Sequence, residues 1–529
     1  MDYTMAKFRQ SISDYLPGAM AVIFITVVII CALFTLWLFA YQQGESEVNL
    51  DPYLQHVLFF TFYQAIISTL LSLVLAVIVA KSLLSINFKG KSFLLNCYSL
   101  TFALPSLVVI TGLLSVYGTQ GIIANICHYF ELNYSLSLYG IKGILMAHVF
   151  FNFPLATKIY YQSLLLIPNE QKKLAQQLNF NLWQSFKYLE WPIVAKQLLP
   201  MGGLIFMFCF SSFATVLTLG GSPKYTTIEV AIYQAIRDFE LSQAVVLSLV
   251  QLLFCIGFML LLRLLTPKHS PQLIANKEYY IARTSLVKKG IAVIVILMSA
   301  VYILSPLLAI ILDTICYFST EFISFSLIQS LLTSFIVAFC SAILAMILAL
   351  SILWTNSRLR LVGHTLVSDY LLFLGSLILA IPNMVLSVGC FLLFISMTDV
   401  PGFIFVLVVV SNALLALPFI LRNLATPLAD LTKRYQYLAL SLNITGLNYL
   451  NVVEFRALKQ LFTYSFAFAC VISVGDFGII ALFGSQDFMT LPYYLFELVS
   501  HYRYQEASFS ALILLITSYL LINSFERTP

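Results

Sequence analysis

The chain has 529 residues, of which 60% are hydrophobic and 10% are charged, whereas an average soluble domain has roughly 45–50% and about 25%. This composition excludes an ordinary soluble domain and indicates a membrane protein with many spans. The net charge of +5 is explained by the basic residues that flank membrane spans. It therefore gives no support to nucleic-acid binding.

Twelve apolar runs are long enough to cross a hydrocarbon core of ~30 Å, which needs about 20 helical residues. Because the bilayer offers no water to backbone groups, and no period-2 alternation is present, we expect helices. The predicted fold class is all-α, a polytopic membrane protein with about 12 transmembrane helices. In chain order the runs are 18–40, 56–84, 92–117, 140–167, 197–219, 241–265, 289–313, 325–353, 366–397, 402–425, 461–483 and 507–524.

The second half of the chain repeats the first. Segment 154–220 recurs 264 residues later as segment 418–484 without a gap, and most of the matches lie in a polar loop. Each half has six runs, an even number, so the two copies point the same way across the membrane. We predict two parallel six-helix repeats, 1–265 and 289–529, joined by a polar linker at 266–288.

Prolines recur at matched places within the predicted spans. Ala103-Leu104-Pro105 matches Ala380-Ile381-Pro382, and Pro154 matches Pro418. A proline inside a helix removes a backbone hydrogen bond and favours a kink. The matched kinks are compatible with a gate of bent helices, and equally with a role in packing alone.

Lysines and arginines predict the orientation. Most of the 28 fall in loops on the cytoplasmic side if the N-terminus is inside, which also places the C-terminus inside. The nine cysteines lie almost all within apolar runs and form no CxxC pair, so we predict neither a disulfide framework nor a metal site. His148 and Asn152 are four residues apart on one helix face, a spacing that favours a packed hydrogen bond.

One loop in each half, at 168–196 and 427–460, carries the same amphipathic pattern; we call these the repeated loops. A single loop of this kind would lie in the lipid headgroup region. Two copies at equivalent places favour docking to a symmetric protein partner instead. The apolar stripe is formed by Leu174, Leu178, Leu182 and Phe186 in the first loop and by Leu438, Leu442, Leu450 and Val453 in the second.

The repeated loops resemble the coupling loop of ABC-importer permeases, which reads EAA, three residues, G, nine residues, I-x-L-P. The first loop has Lys173-Leu174-Ala175, Asn179, Leu189 and Trp191-Pro192 at these positions, and the second has Tyr437-Leu438-Ala439, Asn443, Val453 and Phe455-Arg456. Both glutamates and both glycines of the family pattern are therefore replaced. The resemblance implies docking of ATP-binding subunits through Lys173, Leu174, Ala175, Leu178, Asn179, Leu182, Glu190, Pro192, Leu438, Ala439, Leu442, Asn443, Glu454 and Arg456.

Further stretches are similar to the fused permeases of bacterial thiamine and thiamine pyrophosphate importers. They include 115–121, 148–154, 212–221, 227–234 and 475–478, in the same order over nearly the whole chain. The resemblance implies a multi-pass protein of the bacterial inner membrane that translocates thiamine or its phosphates. It implies two partners, a dimer of cytoplasmic ATP-binding subunits and a periplasmic thiamine-binding protein, and no cofactor of its own, because the partner subunits bind ATP.

Asp476 is an acid inside an apolar run, and Ser212 stands at the equivalent position of the first half. An aspartate at the bilayer centre costs about 2.5–3.5 kcal/mol, so we expect it to face protein or water. One hypothesis is that both residues line the translocation path and that Asp476 favours a cationic ring. The other is that Asp476 forms a buried hydrogen bond to a neighbouring helix or lies near the water at the outer side of the membrane. Segments 227–234 and 490–497 also correspond and predict short interfacial helices after the fifth spans.

Three other functions compete with this interpretation. A fused ABC permease for ferric iron or another small solute has the same two-half plan. A secondary transporter of the major facilitator type also has twelve spans in parallel halves, but its acidic and arginine-rich loop between spans two and three is absent from 81–90. A membrane enzyme would need clustered catalytic side chains, and the sequence contains no such cluster, so we predict a permease without an ATPase site.

Overall fold

The computed structural model describes residues 15–42, 52–101, 104–133, 137–265, 286–394, 402–442, 444, 446–484 and 488–526. Throughout these ranges the regular structure is helical, without any strand, so the all-α prediction is confirmed. Asn443 and most of the predicted linker lie outside the described residues.

The helices follow the order of the predicted runs. Those of the first half are α1 (Leu16–Gln42), α2 (Pro52–Ser85), α3 (Lys91–Leu100), α4 (Ser106–Tyr117), α5 (Ile122–Tyr129), α6 (Ile141–Leu165), α7 (Asn169–Gln177), α8 (Leu182–Ser185), α9 (Trp191–Phe210), α10 (Ala214–Leu219), α11 (Ile228–Arg237) and α12 (Leu241–Leu265). Those of the second half are α13 (Leu286–Tyr317), α14 (Phe325–Leu361), α15 (Thr365–Gly375), α16 (Asn383–Phe394), α17 (Phe403–Ser441), α18 (Gly446–Tyr449), α19 (Arg456–Gly475), α20 (Gly478–Phe483), α21 (Leu491–Ser500) and α22 (Tyr504–Glu526).

Within the described ranges, ten helices are long and apolar enough to cross a membrane, so the expected count of twelve is not confirmed. The run 140–167 forms α6, which has 25 residues but contains the polar side chains of His148 and Asn152. The run 366–397 is divided between α15 and α16, each shorter than a full span.

The third span of each half is interrupted at the matched proline. Helix α3 ends at Leu100 and α4 begins after Pro105, while α15 ends at Gly375 and α16 begins after Pro382. Proline has no backbone N–H and disfavours a helical residue before it, which is consistent with a new helix beginning directly after each proline. Pro154 and Pro418, in contrast, lie inside the continuous helices α6 and α17.

The first helix of each half packs against the other half. Helix α1 lies against α14 and α16, and α13 lies against α2 and α4 as well as α22. Within each half the second, fourth and fifth spans pack together, as α2 with α6 and α9, and as α14 with α17 and α19. The two sequence repeats are therefore linked by an exchange of their first helices.

Candidate functional site

The repeated loops have the same local structure in both halves. In the first, α7 is followed by α8 and a π-helical turn at Phe186–Glu190. In the second, the end of α17 is followed by α18 and a π-helical turn at Leu450–Phe455. Such turns are rare and are often found at functional sites. The amphipathic helices predicted for both loops are thus present.

Two leucines of each repeated loop are exposed, and they form matched pairs. Leu174 and Leu438 are each 55% exposed, and Leu178 and Leu442 are 60% and 61% exposed. Exposed apolar side chains clustered on one surface mark a protein or membrane contact. We call these four residues the leucine patches.

The alanines beside them face inward. Ala175 and Ala439 are each 5% exposed, which explains why a small side chain stands at both positions. Both also accept a hydrogen bond that closes the end of the helix, from the backbone N–H of Phe180 at 3.0 Å and of Ile444 at 2.9 Å. Ala175 and Ala439 therefore support the leucine patches and do not form part of their exposed surface.

Asn179 occupies the family's glycine position with a backbone φ of 52°. This left-handed conformation is the one that favours glycine, and asparagine tolerates it better than most residues. The replacement of glycine by asparagine therefore preserves the turn after α7. The equivalent Asn443 lies outside the described residues.

The other predicted docking residues differ in how exposed their side chains are. Lys173, Pro192 and Arg456 are exposed, as a docking role requires. Leu182 lies in α8, but its side chain is outside the described part. Glu190 and Glu454, in contrast, are held by ion pairs within the chain.

The ion pair in each half joins the repeated loop to the end of the second span. Glu190 Oε2 lies 2.7 Å from Lys81 Nζ, and Glu454 Oε1 lies 2.7 Å from Arg358 Nη1. Lys81 and Arg358 occupy equivalent positions near the ends of α2 and α14. We call these two ion pairs the anchors, because each fixes a π-helical turn to a membrane span.

The two anchors differ in burial. The side chains of Lys81 and Glu190 are 34% and 24% exposed, whereas those of Arg358 and Glu454 are 8% and 0% exposed. Glu454 also accepts a hydrogen bond from Thr432 Oγ1 at 3.1 Å. The expectation that Glu454 contacts a partner is therefore wrong for its side chain, because a fully buried carboxylate is not part of a docking surface.

Aromatic rings and a second lysine complete the anchors. The guanidinium of Arg358 lies 3.6 Å from the ring centre of Trp354, and Lys81 Nζ lies 4.8 Å from that of Phe186. In such cation–π contacts the face of the ring attracts the positively charged group. Near the first anchor, partial burial lowers the pKa of Lys172 to about 8, and the Glu190 carboxylate opposes that shift.

A cavity of about 270 Å³ lies where the interrupted spans of the two halves meet. Its wall contains Ser212 from the break between α9 and α10, and Asp476 from the break between α19 and α20. Ser106 and Asn383, which follow the two matched prolines, also line it. The structure therefore brings together the two residues that the sequence proposed for a path.

Two phenylalanines from opposite halves stack against each other at this cavity. The rings of Phe213 and Phe477 are 5.6 Å apart between centroids and inclined by 18°. Tyr233 of α11 packs on Phe213 at 5.3 Å, and Phe496 of α21 packs on Phe477 at 4.9 Å. The aromatic pair and its supporting rings thus follow the twofold repeat.

Sequence reasoning missed Glu229 as a cavity residue. The segment 227–234 was expected at the interface, but Glu229 on α11 is 1% exposed and lines the cavity. Its Oε1 accepts a hydrogen bond from Gln251 Nε2 at 3.0 Å. The backbone N–H of Ile228 donates to Thr61 Oγ1 at 3.0 Å, which draws the start of α11 into the bundle. The feature of the sequence that could have indicated this role is an acid in an otherwise apolar segment.

Comparison with known proteins gives consistent matches. Residues 72–270 match the family described as binding-protein-dependent transport system inner membrane component. The thiamine transport system permease protein ThiP of Escherichia coli is 40% identical over 99% of both chains. The protein of that name in Salmonella typhimurium is 39% identical over 99% of both chains, and that of Haemophilus influenzae is 38% identical over 88% of this chain and 87% of its own. The chain belongs to this family of ABC-transporter permeases.

Membership of the permease family confirms the resemblance of the chain as a whole. The relatives are transport components and not enzymes, so the prediction of a permease is confirmed and the major facilitator alternative is excluded. The chain is accordingly a multi-pass membrane component of a binding-protein-dependent transporter. The docking roles of single residues stay predictions.

Proposed function

We propose that this chain is the transmembrane permease of an ABC importer for thiamine or its phosphates. The observation that carries the proposal is the identity of up to 40% with thiamine transport permeases over 99% of the chain. In this proposal both termini are cytoplasmic in a bacterial inner membrane, since the basic loops then lie inside. A dimer of ATP-binding subunits docks on the repeated loops, and a periplasmic binding protein delivers the substrate at the opposite end.

The anchors support a mechanical role for the repeated loops. A force on the leucine patches passes through the π-helical turns to α2 and α14, because Glu190 and Glu454 tie the loops to those helices. Helices α2 and α14 pack on the spans that carry the central breaks. ATP-driven movement of the subunits would then open and close the cavity lined by Ser212 and Asp476.

Reconstitution with candidate partners tests the function. We expect thiamine-loaded binding protein to raise ATP hydrolysis by the assembled complex in proteoliposomes, because delivery and hydrolysis are coupled in such importers. Substrate-free binding protein is the control. A complex stimulated by an iron-loaded binding protein, and not by the thiamine-loaded one, would favour the ferric-iron alternative instead.

Charged substitutions in the leucine patches should prevent docking. We expect Leu178→Glu or Leu442→Glu to weaken binding of the ATP-binding subunit about thirtyfold or more, since a charge then enters an apolar contact. The measurement is copurification, with titration of the subunit onto the permease in nanodiscs. Leu132→Glu is the matched control, because Leu132 is 62% exposed but lies outside the repeated loops. Wild-type binding by both variants would refute the docking assignment.

A further inference from the structure

The central cavity has an acidic character. Glu229 from the first half and Asp476 from the second line it, and no lysine or arginine is found among its described lining residues. An apolar protein interior amplifies the effect of a carboxylate on a nearby charge. When ionised, these two carboxyl groups attract a positively charged ring into the cavity.

Two polar atoms at the cavity have no protein partner in the described part of the chain. One is Asp476 Oδ2, although the Asp476 carboxyl group accepts backbone hydrogen bonds from Gly478 and Ile479. The other is Nε2 of His148, a residue that is 3% exposed and whose Nδ1 lies 3.1 Å from Ser68 Oγ. Buried polar atoms are almost always hydrogen-bonded, and leaving them without a partner costs free energy.

The location of these atoms indicates a ligand and not a packing defect. His148 belongs to the first half and Asp476 to the second, and both line the same cavity. The predicted hydrogen bond of the His148 pair is present, since Asn152 Nδ2 donates to the His148 carbonyl oxygen at 2.8 Å. That bond uses the backbone, however, and so it leaves the imidazole Nε2 available.

The aromatic pair supplies the third element of recognition. Phe213 and Phe477 line the same cavity, and aromatic faces attract organic cations. The cavity volume of about 270 Å³ is close to the lower limit of small-molecule sites, roughly 300 Å³. Its size and lining therefore suit one small aromatic molecule with a positive charge.

We infer that this cavity is a binding site for a small heteroaromatic cation during transport. The Asp476 carboxylate attracts the positively charged ring of the molecule, His148 Nε2 forms a hydrogen bond with its ring nitrogen or amine, and Phe213 and Phe477 line the wall beside it. The inference rests on the proposed function, since thiamine carries a cationic thiazolium ring and an aminopyrimidine. In this inference the permease itself selects the substrate, in addition to the selection made by the delivery protein.

The test compares thiamine with an uncharged analogue of the same shape, in which a neutral ring replaces thiazolium. Each is supplied on loaded binding protein to proteoliposomes that contain the complete complex, and uptake is measured for both. For Asp476→Asn we expect uptake of thiamine to fall about tenfold or more relative to the neutral analogue, because a charge-assisted contact is lost. Asp476→Glu, which retains the charge, should keep the preference for the cation.

The control is Asp313→Asn, an aspartate in α13 that lines a different cavity. Uptake of the neutral analogue by Asp476→Asn also reports whether that variant is folded. An unchanged ratio of the two uptakes in Asp476→Asn overturns the inference and leaves the proposed function intact. A wild-type complex that imports neither compound contradicts the proposed function instead.

His148→Phe provides an independent test with a different signature. Both compounds carry the aminopyrimidine, so we expect uptake of both to fall by a similar factor of about tenfold, with the preference for the cation retained. Assembly with the ATP-binding subunits, measured by copurification, shows that the variant is intact. Wild-type uptake of both compounds by His148→Phe would remove His148 from the site.

Discussion

Glu454→Gln is expected to destabilise the protein by about 3–5 kcal/mol, the usual result of removing one partner from a buried ion pair. Arg358 is only 8% exposed, so its charge would remain in the interior opposite a neutral amide. Thermal unfolding of the purified permease in detergent measures the loss. We also expect the complex to hydrolyse ATP without driving uptake, because the second repeated loop would no longer be tied to α14.

Two matched variants show whether the loss of stability is specific to the buried ion pair or follows the removal of any paired acid. Glu190→Gln disrupts the partly exposed anchor of the first half and should cost about 0–1 kcal/mol. Asp369→Asn disrupts the exposed pair with Arg360, two residues from Arg358 on the same helix, and should cost no more. Equal losses of stability in Glu190→Gln and Glu454→Gln would contradict the assigned difference between the anchors.

Exchange of the buried charges tests the pair itself. Arg358→Glu combined with Glu454→Arg should recover part of the stability that either single change removes, because opposite charges face each other again. A double-mutant cycle isolates this pairwise energy. Additive losses in the double variant would mean that the two residues act independently.

The anchors make the two repeated loops mechanically different. In the second half, α17 continues without a break into the loop, and the buried anchor fixes the following turn. In the first half, Pro168 caps α7 and separates it from α6, and the anchor is partly open to water. The second loop is thus fixed more firmly to its spans than the first, although the two sequences repeat.

The repeat and the positions of both loops could be predicted from the sequence. Polar residues at a constant spacing are informative, because chance matches are rarer in a polar loop than among apolar spans. The prediction for the side chain of Glu454, in contrast, is wrong. Glu454 was assigned to a docking surface because it lies in a loop that resembles the coupling loop, whereas in the structure it pairs with Arg358 on α14. Lys81 and Arg358 are 277 residues apart, the same spacing as the matched prolines. This repeated basic residue was the feature of the sequence from which the anchors could have been predicted.

The exchange of the first helices could not be predicted in this way. An apolar span has no polar face that identifies its neighbour, since lipid and protein both accept leucine. The burial of Glu229 depends equally on long-range packing, because α11 contacts α2 and α12. Composition therefore predicts that these segments are helical, and only the structure gives their partners.

Gly112→Ala and Gly389→Ala should each cost about 1–3 kcal/mol, the range for overpacking a close contact. An added methyl carbon would lie 2.6 Å from the carbonyl oxygen of Pro306 at position 112, and 2.5 Å from that of Ala32 at position 389. Both oxygens belong to the backbone of the first helix of the other half, so no side-chain rotation relieves the clash. We expect a lower midpoint of thermal unfolding in each variant, and additive losses in the double variant because the contacts are separate.

Gly257→Ala is the matched control within a membrane span, since an added methyl there meets no atom within 4 Å. It should leave stability unchanged or raise it by up to about 1 kcal/mol, because alanine is a better helix former than glycine. Because the clash at positions 112 and 389 acts between the halves, those two variants should also lose uptake before they lose folding, as the halves are displaced around the central cavity. Unfolding midpoints of Gly112→Ala and Gly389→Ala equal to that of Gly257→Ala would mean that α13 and α1 do not approach the opposite half so closely.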